Sequence, residues 1–445
     1  MHIRVLQCAR GALLVLMLFA LFVAAPAAAQ FEDLSNLIPD LLDRTIVLFP
    51  AGHEAHFVES SDALRDAGIQ INRSIVGQLA TFPLGTSSGG FTYTYNAELG
   101  IFERSTSSFG TVFGERGQTV GKGKWNFGFN VFTVDYDSID DLDLRNGDIN
   151  FGLNHLDTNM DGTTTNTFFE GDLVLADVAL DLSTETAVFF GTYGITERFD
   201  VAFALPLVRV DLDARLRTRI DRIASSGFSD PPFHRFPDGS DEQSFFTSDS
   251  ASGLGDVLVR GKYTLARSEG AAFAVALDLR LPTGDEEDLL GSGATQAKLF
   301  FISSGQFGRF SPYANFGYTS SSGGSDLIGD LSDEINFAAG FSVGLHERVT
   351  FGIDAVWRTL LDANQLSVGS ETHLFRRHDE DFIRSTERAV LETATDDLNI
   401  LLGAAGFKIN VTGGVLISAS VAFTLSDDGL RDEDAIPILG IDFSF

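Results

Sequence analysis

The side chains in this sequence best suited to chemistry are its histidines, because imidazole acts as a base, as the partner of a nucleophile and as a metal ligand. After the first thirty residues they are His53, His56, His155, His234, His346, His373 and His378. None lies in a His-x-Ser string or in mid-strand on a polar face, as a Ser–His hydrolase in a barrel wall would require. The string "HEAH" brings two imidazoles together, but no third metal ligand accompanies them. The sequence therefore predicts that the two histidines of this string, His53 and His56, lie at the surface, and that the protein is not an enzyme.

The string "DTNMDGT" resembles the first half of a calcium-binding loop. Asp157, Asn159 and Asp161 take its first, third and fifth positions, and a glycine follows; this spacing supplies the oxygen ligands of such loops. The bidentate acid of the twelfth position is missing, because Phe168 stands there. An ordinary Asp/Gly turn is the favoured alternative. Calcium on an extracellular loop is the one cofactor that the sequence suggests.

Charged side chains also recur at alternate positions of otherwise apolar runs. In "AAFAVALDLRLP" and "VTFGIDAVW" the apolar residues share one parity and the charged residues share the other. Successive side chains of a strand point to opposite faces, so these charges would face away from the apolar surface. The residues so placed are Arg209, Asp211, Asp213, Asp256, Arg260, Lys262, Asp278, Arg280, Asp354 and Arg358. They would form either an ion-pair network that fills the interior, which is favoured, or a path for a substrate.

The elements that would position these charges are strands long enough to cross a membrane. The alternating segments lie near 124–136, 172–193, 199–216, 254–265, 271–282, 295–303, 309–319, 333–345, 348–360, 397–409, 414–426 and 436–445. Most have about ten residues, the length of a tilted membrane-crossing strand. Because lipid offers no partner for backbone polar groups, strands that cross it must form a closed sheet. We therefore predict an all-β transmembrane antiparallel β-barrel of about twelve strands, with a bulge after Leu207, where the apolar parity changes next to Pro206.

The connections alternate between long and short, which favours a barrel over a soluble sandwich. The long ones are 137–171, 217–253, 283–294, 320–332, 361–396 and 427–435. Outer-membrane barrels have long extracellular loops and short periplasmic turns, so both chain ends would be periplasmic. The loops hold much of the acid: 137–171 contains eight acidic residues against Arg145 alone.

The composition constrains the partners and the compartment. The chain has 31 basic and 62 acidic residues, a formal net charge of −31, so its surface would repel nucleic acid. The first 29 residues have two arginines, an apolar stretch and a small-residue cleavage site, which predicts a signal peptide. The only cysteine, Cys8, lies within it. The expected partners are outer-membrane lipid and lipopolysaccharide, bridged by divalent cations, and the chain would act as a monomer by default.

Two further regions complete the predicted organisation of the chain. Residues 30–123 combine an amphipathic stretch with glycine-rich strings and would form a plug or a periplasmic collar, ahead of a barrel at 124–445. The chain ends in "LGIDFSF", which predicts a final strand. Phe443 and Phe445 in it resemble the C-terminal signal that the outer-membrane assembly machinery reads by strand addition.

Four strings carry a resemblance to a known family: "FGTVFGERGQTVGKGKWNFGF", "YGITERFDVAFALPLVRV", "GLGDVLVRGKY" and "LPTGDEEDLLGSGA". Together they resemble the phenol-degradation meta-pathway family of outer-membrane barrels, often described as transporters. The resemblance covers most of 85–445 and implies a barrel that takes up aromatic or other poorly soluble small molecules. The expected function is an outer-membrane, porin-like channel or transporter for small molecules. The alternative is a structural or adhesive barrel whose acidic loops form the working surface.

Overall fold

The computed structural model describes residues 33–43, 59–79, 83, 93–96, 101–104, 108–325, 329–432 and 434–445. The predicted signal peptide and the HEAH string lie outside these residues. Among the described helices, none is both long and apolar enough to span a bilayer.

The described chain is mostly strand. The helices are α1 (Leu37–Asp43) and α2 (Glu59–Leu79), with 3₁₀ turns at Leu34–Asn36 and Phe168–Gly171. The strands are β1 (Tyr93–Asn96), β2 (Ile101–Arg104), β3 (Trp125–Tyr136), β4 (Ser138–Ile139), β5 (Leu142–Asp143), β6 (Ile149–Asn154), β7 (Leu173–Gly194), β8 (Phe199–Asp221), β9 (Glu242–Leu254), β10 (Val257–Arg267), β11 (Ala271–Leu281), β12 (Thr295–Gly305), β13 (Phe310–Ser322), β14 (Gly324–Ser325), β15 (Gly329–Asp330), β16 (Glu334–His346), β17 (Val349–Phe375), β18 (Arg384–Thr412), β19 (Val415–Thr424), β20 (Leu430–Arg431) and β21 (Ile436–Ser444).

Twelve of these strands form a closed antiparallel barrel. Each pairs with the next in the order β3–β7–β8–β10–β11–β12–β13–β16–β17–β18–β19–β21, and β21 returns to β3 with Ile441 opposite Phe129. The backbone polar groups of the wall are thus bonded within the sheet, as lipid requires. The predicted barrel of twelve strands is confirmed, and each wall strand begins within a few residues of its predicted segment except β18, which begins 13 residues earlier.

The outer face of the barrel carries an apolar belt that is exposed in the isolated chain. Its members include Val259, Phe273, Leu277, Leu299, Phe301, Phe316, Ile353, Phe407, Ile417 and Leu439. Phe301 and Leu439 are both 56% exposed. A soluble protein rarely exposes a continuous apolar surface of this extent, whereas a barrel in lipid requires one. The belt therefore marks the part of the wall that lies in the membrane.

The upper edge of the belt runs level across neighbouring strands. Ala187 pairs with Leu207 in the belt, and the next outward pair is Glu185 with Arg209. Thr133 of β3 lies opposite Glu185 at the same height. Above this line the outward side chains of β8, from Arg209 to Arg219, are charged because they meet water.

The predicted bulge after Leu207 is wrong, and so is the predicted inward orientation of Arg209, Asp211 and Asp213. β7 and β8 pair without a shift from Gly194–Asp200 to Leu173–Asp221. What changes at this point is the surroundings. The outer face passes from lipid into water, while the inner face, with Val210, Leu212, Ala214 and Leu216 fully buried, becomes part of an apolar core.

Pro206 stands where β8 changes partners. On the turn-end side of Pro206, β8 pairs with β10 as far as Ala204. On the loop-end side, β8 pairs with β9, which begins opposite Leu207. A residue without an N–H is tolerated at such an interruption of the ladder. The proline therefore marks a change of neighbouring strand.

The long connections are partly built from strands. Predicted loop 361–396 is mostly a hairpin, because β17 runs on to Phe375 and β18 begins at Arg384. A shift in their pairing lies between Leu360 and Ala363. At the opposite end of the barrel the connections are short turns, such as 268–270 and 413–414. The predicted asymmetry between the loop end and the turn end is present.

The chain ahead of the barrel lies inside it and against its loop end. Ser35 donates its N–H to Glu287 O at 2.8 Å, and the Gln78 side chain accepts a hydrogen bond from Leu430 N, so the 3₁₀ turn ahead of α1 and the end of α2 contact the loops. The apolar residues of α1 and α2 join the core at this end. Tyr93–Asn96 pairs with Ile101–Arg104 as a separate hairpin. Residues 108–123, called the lumen segment below, then cross the interior before β3 begins.

Candidate functional site

The lumen segment contacts the inner faces of six wall strands through hydrogen bonds. The Phe109 N–H donates to Thr350 Oγ1 at 3.0 Å and the Gly117 N–H donates to Ser304 Oγ at 3.0 Å. The Val120 N–H donates to Asp200 Oδ2 at 3.0 Å. Asn315 and Thr264 make further contacts of this kind. The segment therefore occupies part of the lumen and is held mainly by polar contacts.

Glycine allows the lumen segment to lie this close to the wall. A Cβ on Gly117 would stand 2.7 Å from the carbonyl oxygen of Ala272, and one on Gly114 would overlap the ring of Tyr313 at 1.9 Å. Backbone and ring leave no room for a side chain at either position. The glycine-rich composition of this string is thus a requirement of close packing.

Asp354 bonds the lumen segment to the wall at two adjacent amides. Its Oδ2 accepts the N–H groups of Val112 at 2.6 Å and Phe113 at 2.7 Å, and its Oδ1 accepts the hydroxyl of Tyr313 at 2.8 Å. Hydrogen bonds to a charged acceptor are stronger than neutral ones. Asp354 is 2% exposed, so these bonds satisfy a buried charge.

Arg260 and Lys262 bind the same segment from β10. Arg260 donates from Nε and Nη2 to both carboxylate oxygens of Asp278 at 2.6 Å and from Nη1 to Glu115 of the lumen segment. Lys262 Nζ donates to the backbone oxygens of Gln118 at 3.0 Å and Arg116 at 3.2 Å. The predicted inward charges of this strand are therefore paired.

A cavity of about 160 Å³ lies beside the lumen segment. Phe113, Phe190 and Phe300 form its apolar side. Its charged side chains are Glu115, Arg260, Asp278, Arg280, Lys298, Glu334 and Arg358. As far as the described residues line it, the lumen is thus neither an open pore nor a completely filled core in this conformation.

The structure places seven of the ten predicted inward charges on the inner face: Asp256, Arg260, Lys262, Asp278, Arg280, Asp354 and Arg358. Arg209, Asp211 and Asp213 are on the outer face above the belt, where Arg209 and Asp211 bond each other at 2.8 Å. Any part that the inner residues have in transport stays a prediction.

Five inner charges of the wall and the lumen partner Glu115 were not predicted from the sequence. Glu334 bonds Arg358, Lys298 lines the cavity, Asp200 accepts the Val120 N–H, and Lys408 and Asp442 are buried lower in the lumen. Parity would have found Lys298, since it shares the inner face of β12 with Gln296 and Phe300. Glu115 could not be found in this way, because it does not lie on a strand.

The two strings that carry most of the resemblance bind each other. Asp256 of Gly-Leu-Gly-Asp accepts the N–H of Gly284 at 3.1 Å and the N–H and hydroxyl of Ser292 at 2.9 and 2.6 Å. Thr283 of Pro-Thr-Gly-Asp donates its hydroxyl to Gly255 O at 2.8 Å. A Cβ on Gly291 would stand 2.7 Å from Asp256 Oδ1. These residues thus fold loop 283–294 over the end of the lumen.

The calcium candidate folds as a turn. Asp157 accepts the N–H of Gly162 at 2.6 Å and that of Asp161 at 3.2 Å, and the Asn159 side chain accepts the same Asp161 N–H at 3.0 Å. These are bonds of an Asx-type turn. Within the described residues no group of three His, Cys, Asp or Glu side chains is placed to hold a metal. Calcium at this loop stays a prediction.

Four histidines, distant in the sequence, gather in the loops. The His155 and His234 rings lie 5.2 Å apart, with Phe169 against both. The His234 Nδ1 is 2.8 Å from Asp172 Oδ2, and the Ser225 hydroxyl donates to the same oxygen. His373 and His378 lie nearby against Gly171 and Phe168. Since the hydroxyl and the imidazole share one carboxylate, this cluster cross-links loops.

One family model matches this chain, over residues 171–379, and its description is "Putative MetA-pathway of phenol degradation". Over this segment the chain is similar to that family. The segment holds eight of the twelve wall strands, from β7 to β17, together with the mutually bonded Gly-Leu-Gly-Asp and Pro-Thr-Gly-Asp strings. The family match agrees with the closed wall and its apolar belt, the architecture of a barrel in a Gram-negative outer membrane.

Other comparisons add only distant likenesses. No curated protein sequence matches the chain. The COG4313 outer membrane channel from Pseudomonas putida F1 is 11% identical over 74% of this chain and 98% of that one, with a TM-score of 0.41. The P. putida toluene transporter TodX is 10% identical over 72% of this chain and 89% of that one, with a TM-score of 0.32. Likeness at this level carries no argument, and the fold described above rests on the strand pairing of this chain.

Proposed function

We propose that the barrel is an outer-membrane channel for small molecules and that the lumen segment is its gate. The observation that carries the proposal is the way this segment is held: inside the lumen, beside a cavity, by hydrogen bonds from wall side chains. Water or a solute can replace such bonds, whereas an interlocked apolar core could not be opened at a similar cost. Displacement of the segment would join the cavity to the turn end of the barrel.

The cargo of this channel is a small aromatic or otherwise hydrophobic molecule. The family description, which refers to phenol degradation, supports this class. The phenylalanines of the cavity support it as well, because a flat apolar ring packs against them without leaving polar groups unpaired.

A reversible disulfide tests the gate. The Ser108 hydroxyl donates to Ser311 Oγ on β13 at 3.0 Å, so Ser108→Cys with Ser311→Cys places two thiols within reach of a bond between gate and wall. Cys8, the only cysteine of the sequence, lies in the predicted signal peptide. In planar bilayers we expect the oxidised double variant to conduct several-fold less than the wild type and a reductant to restore conductance.

The matched control bonds two wall strands and leaves the gate free. Ser311 and Ser342 are register partners on β13 and β16, and Ser342 Oγ also contacts Ser108. Ser311→Cys with Ser342→Cys should therefore form a disulfide without reducing conductance. Equal conductance of the locked and unlocked gate would exclude the gate. A wild type that never conducts would favour the alternative, a sealed structural barrel with acidic loops.

A further inference from the structure

We propose that the cavity beside the lumen segment binds small monocarboxylates that carry an apolar ring, with the Lys298 ammonium as the partner of the carboxylate. This inference deepens the proposed channel function by naming the substrate class. It rests on the partners of the cavity's charged groups, on its apolar side and on its volume.

Two of the four cations of the cavity are satisfied by carboxylates. Arg260 binds Asp278 through two nitrogens and Glu115 through a third. Arg358 donates from two nitrogens to Glu334. A guanidinium engaged in this way has few donors left for a ligand. Arg280, the third cation, lies in the electrostatic field of Asp256 and Glu334.

Lys298 differs from these arginines, because the hydrogen bond described for it goes to a neutral group. Its Nζ donates to the amide oxygen of Asn336 at 3.2 Å. Among the described residues no carboxylate lies within 4.0 Å of this nitrogen, and Asp278 and Glu334 act on it only at longer range. An ammonium has three donors, and a partly dehydrated one is stabilised by an anion in direct contact. A carboxylate in the cavity would provide that contact.

The apolar side of the cavity adjoins the same ammonium. Lys298 Nζ lies 5.3 Å from the centroid of the Phe300 ring, and Phe113 and Phe190 complete this side. A cavity of about 150 Å³ lined by apolar side chains is large enough to hold benzene. The observed volume of about 160 Å³ therefore has room for one ring with a small substituent. A ligand with its ring against Phe300 and its carboxylate on Lys298 would use both sides.

The neighbouring acids limit the charge of the ligand. Glu115, Asp278 and Glu334 also line the cavity, and each would repel a second negative charge. A neutral ring lacks the ion pair, and a dicarboxylate adds repulsion. A single carboxylate is thus the class that this cavity favours.

Calorimetric titration of the folded, full-length protein in detergent micelles tests the inference. The probes are benzoate and its neutral counterpart benzamide, used with the wild type and with Lys298→Gln. We expect the wild type to bind benzoate at least ten-fold more tightly than benzamide. Lys298→Gln should remove most of that preference, while Lys298→Arg, which keeps the charge, should retain a large part of it.

The control variant removes a cation that lies outside the cavity and the lumen segment. Arg348 is exposed in the short turn between β16 and β17, so Arg348→Gln changes the net charge equally and should leave both affinities unchanged. Equal binding of the two probes by the wild type, or an unchanged preference in Lys298→Gln, overturns the inference. If Lys298→Gln does not fold, the wild-type comparison and Lys298→Arg still decide the matter.

The result can be separated from that of the channel proposal. If the disulfide controls conductance but the protein shows no preference for benzoate, the carboxylate site is refuted and the channel proposal stands. If the protein prefers benzoate but does not conduct, the channel proposal is refuted and the binding site stands. The two experiments use different residues and different readouts.

Discussion

Asp354 makes two of the hydrogen bonds that hold the lumen segment against the wall. Its carboxylate accepts two backbone N–H groups of the segment and the Tyr313 hydroxyl. No other wall carboxylate among the described contacts binds two adjacent amides of this segment. The effect of removing it therefore reports directly on how firmly the gate is held.

Asp354→Ala should loosen the gate. Two amides lose a charged acceptor, and hydrogen bonds to charged groups contribute on the order of 1.5–3 kcal/mol each. We expect several-fold more open time in single-channel recordings. Tyr313→Phe, which removes only the hydroxyl, should have a smaller effect. Ser418→Ala, on the inner face of β19 opposite Gly440, is the control and should have the same open time as the wild type. An unchanged Asp354→Ala channel would mean that the segment is held elsewhere.

At the scale of the element, a single wall strand meets four different surroundings along its length. β8 faces lipid and lumen below Leu207, and water and a loop core above it. At this height the apolar residues of β8 pass from the outer face to the inner face. This happens because the surroundings change, while the register of the strand stays the same. The same argument explains why the wall continues above the belt as β6, β9 and the long β17–β18 hairpin.

An arginine in the belt tests which part of a strand meets lipid. Leu277 is an outward residue of β11, 46% exposed, and lies midway along that strand. Leu277→Arg should cost roughly 2–4 kcal/mol of folding free energy, as an arginine near the bilayer midplane does. Denaturant unfolding in lipid vesicles measures this cost. Asp213→Arg, outward on β8 above the belt, should change stability little, and a similar loss in both variants would argue against the assigned belt.

Loop 137–148 should dock more firmly in acid, because of Asp140. Its Oδ2 accepts the Leu366 N–H at 2.8 Å. Burial raises the pKa of Asp140 to about 6, and Asp428 and Asp141 add to the rise against opposing backbone hydrogen bonds. A carboxyl whose folded-state pKa is raised stabilises the fold most below its unfolded pKa and loses this contribution as the pH rises through about 6.

Asp140→Asn should therefore strengthen this contact at pH 7.5, by on the order of 1–2 kcal/mol, and change little at pH 4. Hydrogen exchange of the Leu366 amide at the two pH values measures it. Asp143→Asn is a control that should change the stability of the loop contact in the opposite direction. Hydrogen bonds from Asn146 and Arg145 outweigh burial and lower the pKa of Asp143, so this variant should loosen the loop at neutral pH. Equal protection of Leu366 in the wild type and Asp140→Asn at pH 7.5 would contradict the assignment.

At the scale of the whole molecule, closure joins the two ends of the barrel sequence. Phe445 and Trp125 exchange both backbone hydrogen bonds, at 3.0 and 3.3 Å, and the Phe445 ring lies 6.5 Å from that of Phe127. The Trp125 ring in turn lies tilted against the Tyr193 ring, with the two centroids 4.3 Å apart. The last strand is thus fixed beside the first by aromatic residues at the turn end of the belt.

Phe443→Ser with Phe445→Ser should reduce the amount of barrel that reaches the outer membrane, on the order of ten-fold. These positions serve both the closing contact and the predicted assembly signal. Membrane fractionation and heat-modified gel mobility measure assembly in cells, and refolding of the purified chain into vesicles measures closure alone. A defect in cells with normal refolding would assign the loss to the signal, whereas normal assembly in cells would refute that signal. Ser444→Ala is the matched control.

Alternation of apolar and polar residues was sufficient to predict the wall. Membrane-crossing strands expose every second side chain to lipid, so each segment carries the period in its own sequence. Parity also placed Asp278 and Arg280 correctly, because β11 remains within the belt. It failed at Arg209 and Asp211, because parity identifies the two faces of a strand but not the height at which lipid ends.

The sequence by itself determined the twelve wall strands, the two sets of connections and most of the inward charges, since these follow from the local period and from loop length. Only the tertiary structure decided that residues 108–123 lie within the lumen, that Glu115 meets Arg260, and that Lys298 faces a ring-sized cavity. These contacts join residues more than a hundred positions apart or depend on a segment without periodicity. Nothing local in the chain encodes them, because they exist only once the barrel has closed around the segment.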